Sequence, residues 1–312
     1  MAADPRLTKL VQQHAHTAKL MGVDFVPAYR VSADEPAHVV VVEPPPVTAP
    51  PPKAPIEDIR SAPVSRPPAR VAITVPEQQP VTEPRAQPRG TMATWKRPAQ
   101  QKNEDDREYK TRALAALLDK YTLDAPHECF KTDHHSIVWG DGDPAARLVF
   151  VGEAPGEEED HAGKPFVGRS GQLLNKMITA MGLSRETVYI CNVLKTRPPN
   201  NATPTSHEAA LCEPYLMEQL AIIKPEAIVT LGLPATRTLL KTEDSMAKLR
   251  NNWRTLKLPD GSLIPVMPTY HPAYLLRAYN DENRMKVWSD LWHVVKKLGL
   301  KAVAKPPAGA EA

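Results

Sequence analysis

The 312-residue chain is short of several things, and each shortage removes a class of function. Its three cysteines, an odd number without paired spacing, exclude a disulfide-stapled module and fit a reducing compartment, so a cytoplasmic location is expected. No apolar run approaches the ~20 residues that cross a bilayer, and no secretory apolar stretch opens the chain, so no membrane partner is expected. A large excess of one charge is also missing. The net charge of +3 permits nucleic-acid binding without arguing for it. Neither Gly-x-Gly-x-x-Gly nor Gly-x-x-x-x-Gly-Lys-Ser/Thr occurs, which argues against a dinucleotide or a P-loop site. No internal repeat is evident.

Proline is the residue in excess. Of the 34 prolines, 16 crowd the stretch from Pro36 to Pro98, around "VEPPPVTAPPPKAP". Such a block buries too little apolar surface to offset chain entropy and favours extended conformations. Residues 26–104 are therefore expected to form a disordered, semi-stiff linker. Residues 1–25 carry Leu7, Leu10, Val11, Ala18 and Met21 at roughly helical spacing, the pattern of a short amphipathic helix. That helix either packs on its own domain or docks on a protein partner at the concentration the linker maintains. One folded domain is expected over residues 105–300 and a flexible tail over 301–312, the whole being a monomer.

Within residues 105–300 the apolar runs Arg147–Gly152, Val188–Val193, Ala227–Gly232 and Ile264–His271 read as four buried parallel strands. Helical patterns lie between them, one starting at Ser170 as N-cap and ending at Gly182, and a last one follows in "NRMKVWSDLWHVVKKLG". Strand alternating with helix implies an α/β domain around a parallel sheet. Glu153, Asn192, Gly232 and His271 then sit at or just past successive strand ends, the edge where open parallel sheets bind ligands. Taken singly, each has a plain explanation as a solvated acid, a turn residue or a loop cap. Their shared location is what marks a site. The loop "VGEAPGEEED" has the glycines of a phosphate cradle but five carboxylates, which repel phosphate.

The segments "GEAPGEEED", "GKPFVGRSGQLL", "VYICNVLKTRPPNN" and "PTYHPAYLLR" together resemble the family 4 uracil-DNA glycosylases. The similarity runs from about residue 140 to 298. The resemblance implies an α/β/α sandwich and cleavage of the bond between uracil and deoxyribose in DNA, starting base-excision repair. It implies catalytic roles for two residues: Glu153, whose carboxylate stabilises an oxocarbenium-like sugar, and His271, which donates to uracil O2. It implies that Asn192 reads the base, that Phe166 stacks on it, and that Gly152 and Ala154 line its pocket. For the DNA it implies Arg169, Ser170, Lys195, Arg197 and Arg277 on the backbone, with Tyr274, Leu275 and Leu276 available as a wedge.

Family 4 enzymes usually hold an iron–sulfur cluster on four cysteines, and here the chain departs from the pattern it resembles. The corresponding positions are Ala125, Glu128, Thr196 and Cys212; Cys129 is out of register and Cys191 lies within a strand. No cluster and no other cofactor is expected. A substitute metal on His127, Cys129, His134 and His135 matches no standard zinc spacing. Two alternatives accompany the glycosylase reading. One is a damaged-DNA-binding module that cleaves weakly or not at all; the other is a different nucleotide-processing α/β enzyme, which would leave "HPAYLLR" without a role.

Overall fold

The computed structural model describes residues 89–307. The amphipathic segment expected over residues 1–25 and most of the expected linker lie outside the described residues. Helix α1 (Asp106–Asp124) begins with a capping box, in which Asp105 accepts from the Glu108 amide and Glu108 reaches back to Asp105. Strands β1 (Asp141–Gly142) and β2 (Leu148–Gly152), helices α2 (Glu157–Ala162) and α3 (Arg169–Ala180) and strand β3 (Tyr189–Asn192) follow. Helix α4 (Ser206–Ile223), strand β4 (Ala227–Leu231), helices α5 (Leu233–Leu240) and α6 (Met246–Leu249) and strands β5 (Arg254–Lys257) and β6 (Leu263–Thr269) come next. Helices α7 (Pro272–Arg277) and α8 (Asp281–Leu298) complete the domain.

The sheet has six strands in the order β1-β3-β2-β4-β6-β5. The central β3, β2, β4 and β6 are parallel, as expected, and β1 and β5 add antiparallel edges that the sequence reading omits. Alternate residues of β2 enter opposite layers: Val149 and Val151 pack with α1 and α4, Leu148 and Phe150 with α3 and α8. This alternation makes a three-layer α/β/α sandwich. The chain runs from β2 outward to β3, then crosses back to β4 on the other side of β2. The crevice for a ligand therefore opens at the C-terminal ends of β2 and β4.

Three boundaries differ from expectation. Residues 89–104, assigned to the linker from composition, lie on the domain: Trp95 Nε1 and Arg97 Nε both donate to Glu218 Oε1, at 3.2 and 2.7 Å. The tail also packs, with the Val303 amide on Ala180 O and Trp288 Nε1 on Lys305 O. Ser170 is not the cap of α3; the helix starts at Arg169 after Gly168. Among the described residues no helix is long and apolar enough to cross a membrane.

Candidate active site

Glu153, Asn192, Gly232 and His271 stand at or just past the ends of β2, β3, β4 and β6 and surround a cavity of about 640 Å³. Glu153, Ala154, Phe166, Ser170, Asn192, His271, Tyr274 and Arg277 line it. Gly152 lies against two of these side chains, Asn192 and Phe166. A methyl group on Gly152 would collide with Asn192 Oδ1 and come within 2.6 Å of the Phe166 ring, so only glycine leaves the space between those two side chains open. For the activity that the resemblance implies, Gly152→Ala is expected to lower kcat/KM on the order of 10²-fold, since a ~1 Å misplacement costs that much. Steady-state assays on protein of native far-UV circular dichroism check it.

Asn192 is buried, and its Oδ1 has no hydrogen-bond partner within the protein. A buried acceptor left unpaired costs about 1–3 kcal/mol, so its presence at a cavity wall points to a donor supplied by a ligand. Phe166 is buried in left-handed backbone, φ 53°, an arrangement that costs about 1–3 kcal/mol and is held by its surroundings. Arg185 Nη1 donates to Phe166 O at 3.0 Å, and Glu159 Oε1 accepts from the Val167 and Gly168 amides at 2.9 Å. The Phe166 ring comes to rest 5.6 Å from the His271 ring, centroid to centroid.

His271 caps α7, its Nδ1 accepting from the Ala273 amide at 3.1 Å. With Nδ1 an acceptor, the proton of the neutral ring resides on Nε2, which leaves Nε2–H as the available donor. Burial, assisted by the Arg277 charge, pushes the His271 pKa down to about 4, so the ring is neutral near pH 7. Burial raises the Glu153 carboxyl above its ordinary value, and a hydrogen bond with Thr203 opposes the shift. The cavity thus holds a neutral donor, an unpaired amide oxygen and an acid disposed to take up a proton.

Several residues assigned to DNA behave otherwise. Lys195 is fully buried, its Nζ bonded to Asn192 O and the Gln219 side chain, and it reaches no surface. Leu275 is also buried in the core and is no wedge; Tyr274 and Leu276, each 37 % exposed, face outward. The Arg197 side chain is mostly covered and turned onto Asn201 and Glu157. Arg169 and Arg277 are exposed. Glu159, Thr203 and Tyr270 line the cavity although nothing in the sequence reading singles them out. Four acids in a row at Glu157–Asp160 disguised the one that holds the Phe166 turn.

Cys212 supplies the single thiol among Ala125, Glu128, Thr196 and Cys212, and burial pushes its pKa up to about 11. The Tyr121 hydroxyl lies 4.0 Å from Cys212 Sγ. Its ring stacks on His127 at 5.3 Å, meets Tyr215 edge-on at 5.1 Å and tilts onto Trp139 at 5.5 Å. Tyr215 in turn donates to Asp124 at 2.6 Å, so α1, α4 and the 126–129 turn are tied by aromatic packing. Of His127, Cys129, His134 and His135, the rings of His127 and His134 meet edge-on at 5.1 Å. Among the described residues no three His, Cys, Asp or Glu side chains could hold a metal ion.

Residues 139–292 match the family model of the uracil DNA glycosylase superfamily. The chain is 46% identical over 160 residues to the type-4 uracil-DNA glycosylase of Thermotoga maritima, covering 50% of this chain and 80% of that one. It is 43% identical over 173 residues to the type-4 enzyme of Saccharolobus solfataricus, covering 54% and 79%. A type-5 uracil-DNA glycosylase of Pyrobaculum aerophilum is 31% identical over 149 residues, covering 43% of this chain and 64% of that one.

Proposed function

The chain belongs to the type-4 uracil-DNA glycosylases, and from that premise we propose how its own residues divide the reaction. The protein hydrolyses the N-glycosidic bond of deoxyuridine in DNA and so starts base-excision repair. The target nucleotide leaves the stack at a cost of a few kcal/mol, with Leu276 and Tyr274 filling the gap and Arg277 on a phosphate. Arg169 and Ser170 hold the backbone at the start of α3.

In the pocket the base lies over Phe166, a contact worth about 1–3 kcal/mol. Asn192 Oδ1 accepts from uracil N3–H while Nδ2 donates to O4; cytosine presents the opposite pattern at both atoms. As the C1′–N1 bond breaks, its electron pair departs on uracil, and His271 Nε2–H donates to O2, where negative charge gathers. The sugar becomes cationic opposite the Glu153 carboxylate. Water adds to C1′ and gives its proton to Glu153. A carboxylate suits a nascent cation, and so the glycine loop that resembles a phosphate cradle carries acid.

The observation that carries this reading is that Asn192, whose buried Oδ1 is unpaired, lines the same cavity as Glu153 and His271. A binding-only module has no need of that convergence. The test is alkali cleavage of oligonucleotides carrying one uracil after incubation with pure protein. Strand breaks are expected at the uracil position, and tight binding without breaks would overturn catalysis. Asn192→Asp is expected to erode the preference for uracil over cytosine, because the carboxylate has no donor for O4. Unchanged selectivity in the same assay would count against that role.

We also propose that the enzyme works without an iron–sulfur cluster, because one thiol cannot replace four and Tyr121 stands against it. Anaerobically purified protein is expected to show neither visible absorbance nor stoichiometric iron.

A further inference from the structure

Lys195 is a fully buried lysine that the reaction as described does not use. Its Nζ donates to the main-chain oxygen of Asn192 at 2.7 Å and to the side-chain oxygen of Gln219. The face of Trp139 lies 5.1 Å from it. Gln219 is held in turn, its amide nitrogen donating to Trp139 O at 3.1 Å. Two oxygens and an aromatic face match what an ammonium's three donors require, yet none of these partners carries a negative charge. Burial without an anionic partner is costly for a cation and pushes the lysine pKa down. A methionine or leucine would fill the same space without that penalty.

The place of the charge supplies a reason for it. Lys195 holds the backbone of Asn192, whose side chain lines the cavity in which the base is placed. His271 is neutral and offers the departing base a hydrogen bond but no full charge. Arg277 is cationic but stands at the exposed rim, where water screens it. A buried charge is screened far less.

On the glycosylase reading above, we infer that Lys195 is a positioning residue for the reaction. Its ammonium anchors the Asn192 end of β3 and holds a fixed positive charge behind the base, favouring the uracil anion as the glycosidic bond breaks. The charge is present before the reaction begins, so no reorganisation is needed when the anion forms.

The test compares two leaving groups under single-turnover conditions, deoxyuridine and 5-fluorodeoxyuridine in otherwise identical oligonucleotides. Fluorine makes the departing base a more stable anion, which needs less help from the protein. Lys195→Met is expected to slow uracil release by roughly tenfold or more and 5-fluorouracil release clearly less, so the ratio of the two rates widens. Equal slowing of both bases would reduce Lys195 to a structural role and overturn the inference, as would unchanged rates. If Lys195→Met does not fold, Gln219→Glu provides the same reading at nearly constant volume. Its carboxylate pairs with the ammonium and cancels the field, and the same widening is expected. A wild-type protein that releases neither base would instead overturn the glycosylase reading on which this inference rests.

Discussion

His271→Ala is expected to lower the single-turnover rate of uracil release by about 10²–10³-fold, the usual cost of losing one donor to a developing anion. Affinity for uracil-containing DNA should change little, because O2 carries its full negative charge only as the bond breaks. A fall in affinity with an unchanged rate would mean that His271 binds the base and does not assist its departure. The capping contact sharpens the comparison. Alanine also deletes the acceptor for the Ala273 amide, whereas His271→Asn keeps a capping oxygen at the start of α7. If the loss stems from the donor, both variants are slow, since asparagine is too short to reach O2 while it caps the helix. If it stems from a loosened α7, His271→Asn recovers most of the rate.

Glu153→Gln is expected to cost about 10²–10⁴-fold in the same assay, the range for removing a positioned acid–base group that here also faces a cationic sugar. Glutamine keeps the shape and can still hydrogen-bond Thr203, so the loss isolates the charge. The pH profile identifies the group independently. The reaction needs Glu153 ionised, and burial raises its pKa above the ordinary 4.5. The rate should therefore fall as pH drops through that raised value, giving an acid limb whose midpoint lies above 4.5. Burial pushes the His271 pKa down to about 4, so this limb is not expected from the imidazole. The limb should survive in His271→Ala and vanish in Glu153→Gln. An acid limb that vanishes with His271 would reverse the assignment.

How much of this was legible in the sequence depended on what each residue type reveals by itself. The central strands were readable because strands covered on both faces appear as unbroken apolar runs, each ending in a residue that does not belong in a core. Gly152, Asn192 and Gly232 are such residues. The edge strands were not readable: β1 is two residues long, and β5 alternates Arg254, Thr255, Leu256 and Lys257, with Leu256 its one buried member. The packed segment at residues 89–104 was hidden by prolines shared with its neighbours, although Trp95 and Arg97 were its anchors.

Within the site, side-chain chemistry was legible and burial was not. Lysine is almost never fully buried, so Lys195 was assigned to the surface; only the folded chain brings Trp139 and Gln219 around it. Leu275 and Leu276 are adjacent and identical in type, and the turn of α7 decides that the first faces the core and the second faces outward. Thr203 had no signal of its own, since its importance lies in reaching Glu153 across the fold. The cluster question ran the other way. Missing cysteines were plain in the sequence, but the aromatic packing around Tyr121 was not.

The central claim is that an amide, an imidazole and a carboxylate surround one flipped base, and a crystal structure of the protein with uracil in the cavity tests it most directly. The account predicts uracil lying on the Phe166 ring, with N3 within hydrogen-bonding distance of Asn192 Oδ1, O2 at His271 Nε2 and N1 turned toward Glu153. Uracil bound elsewhere, or lying in the cavity with Asn192 Oδ1 still unpaired, would contradict it.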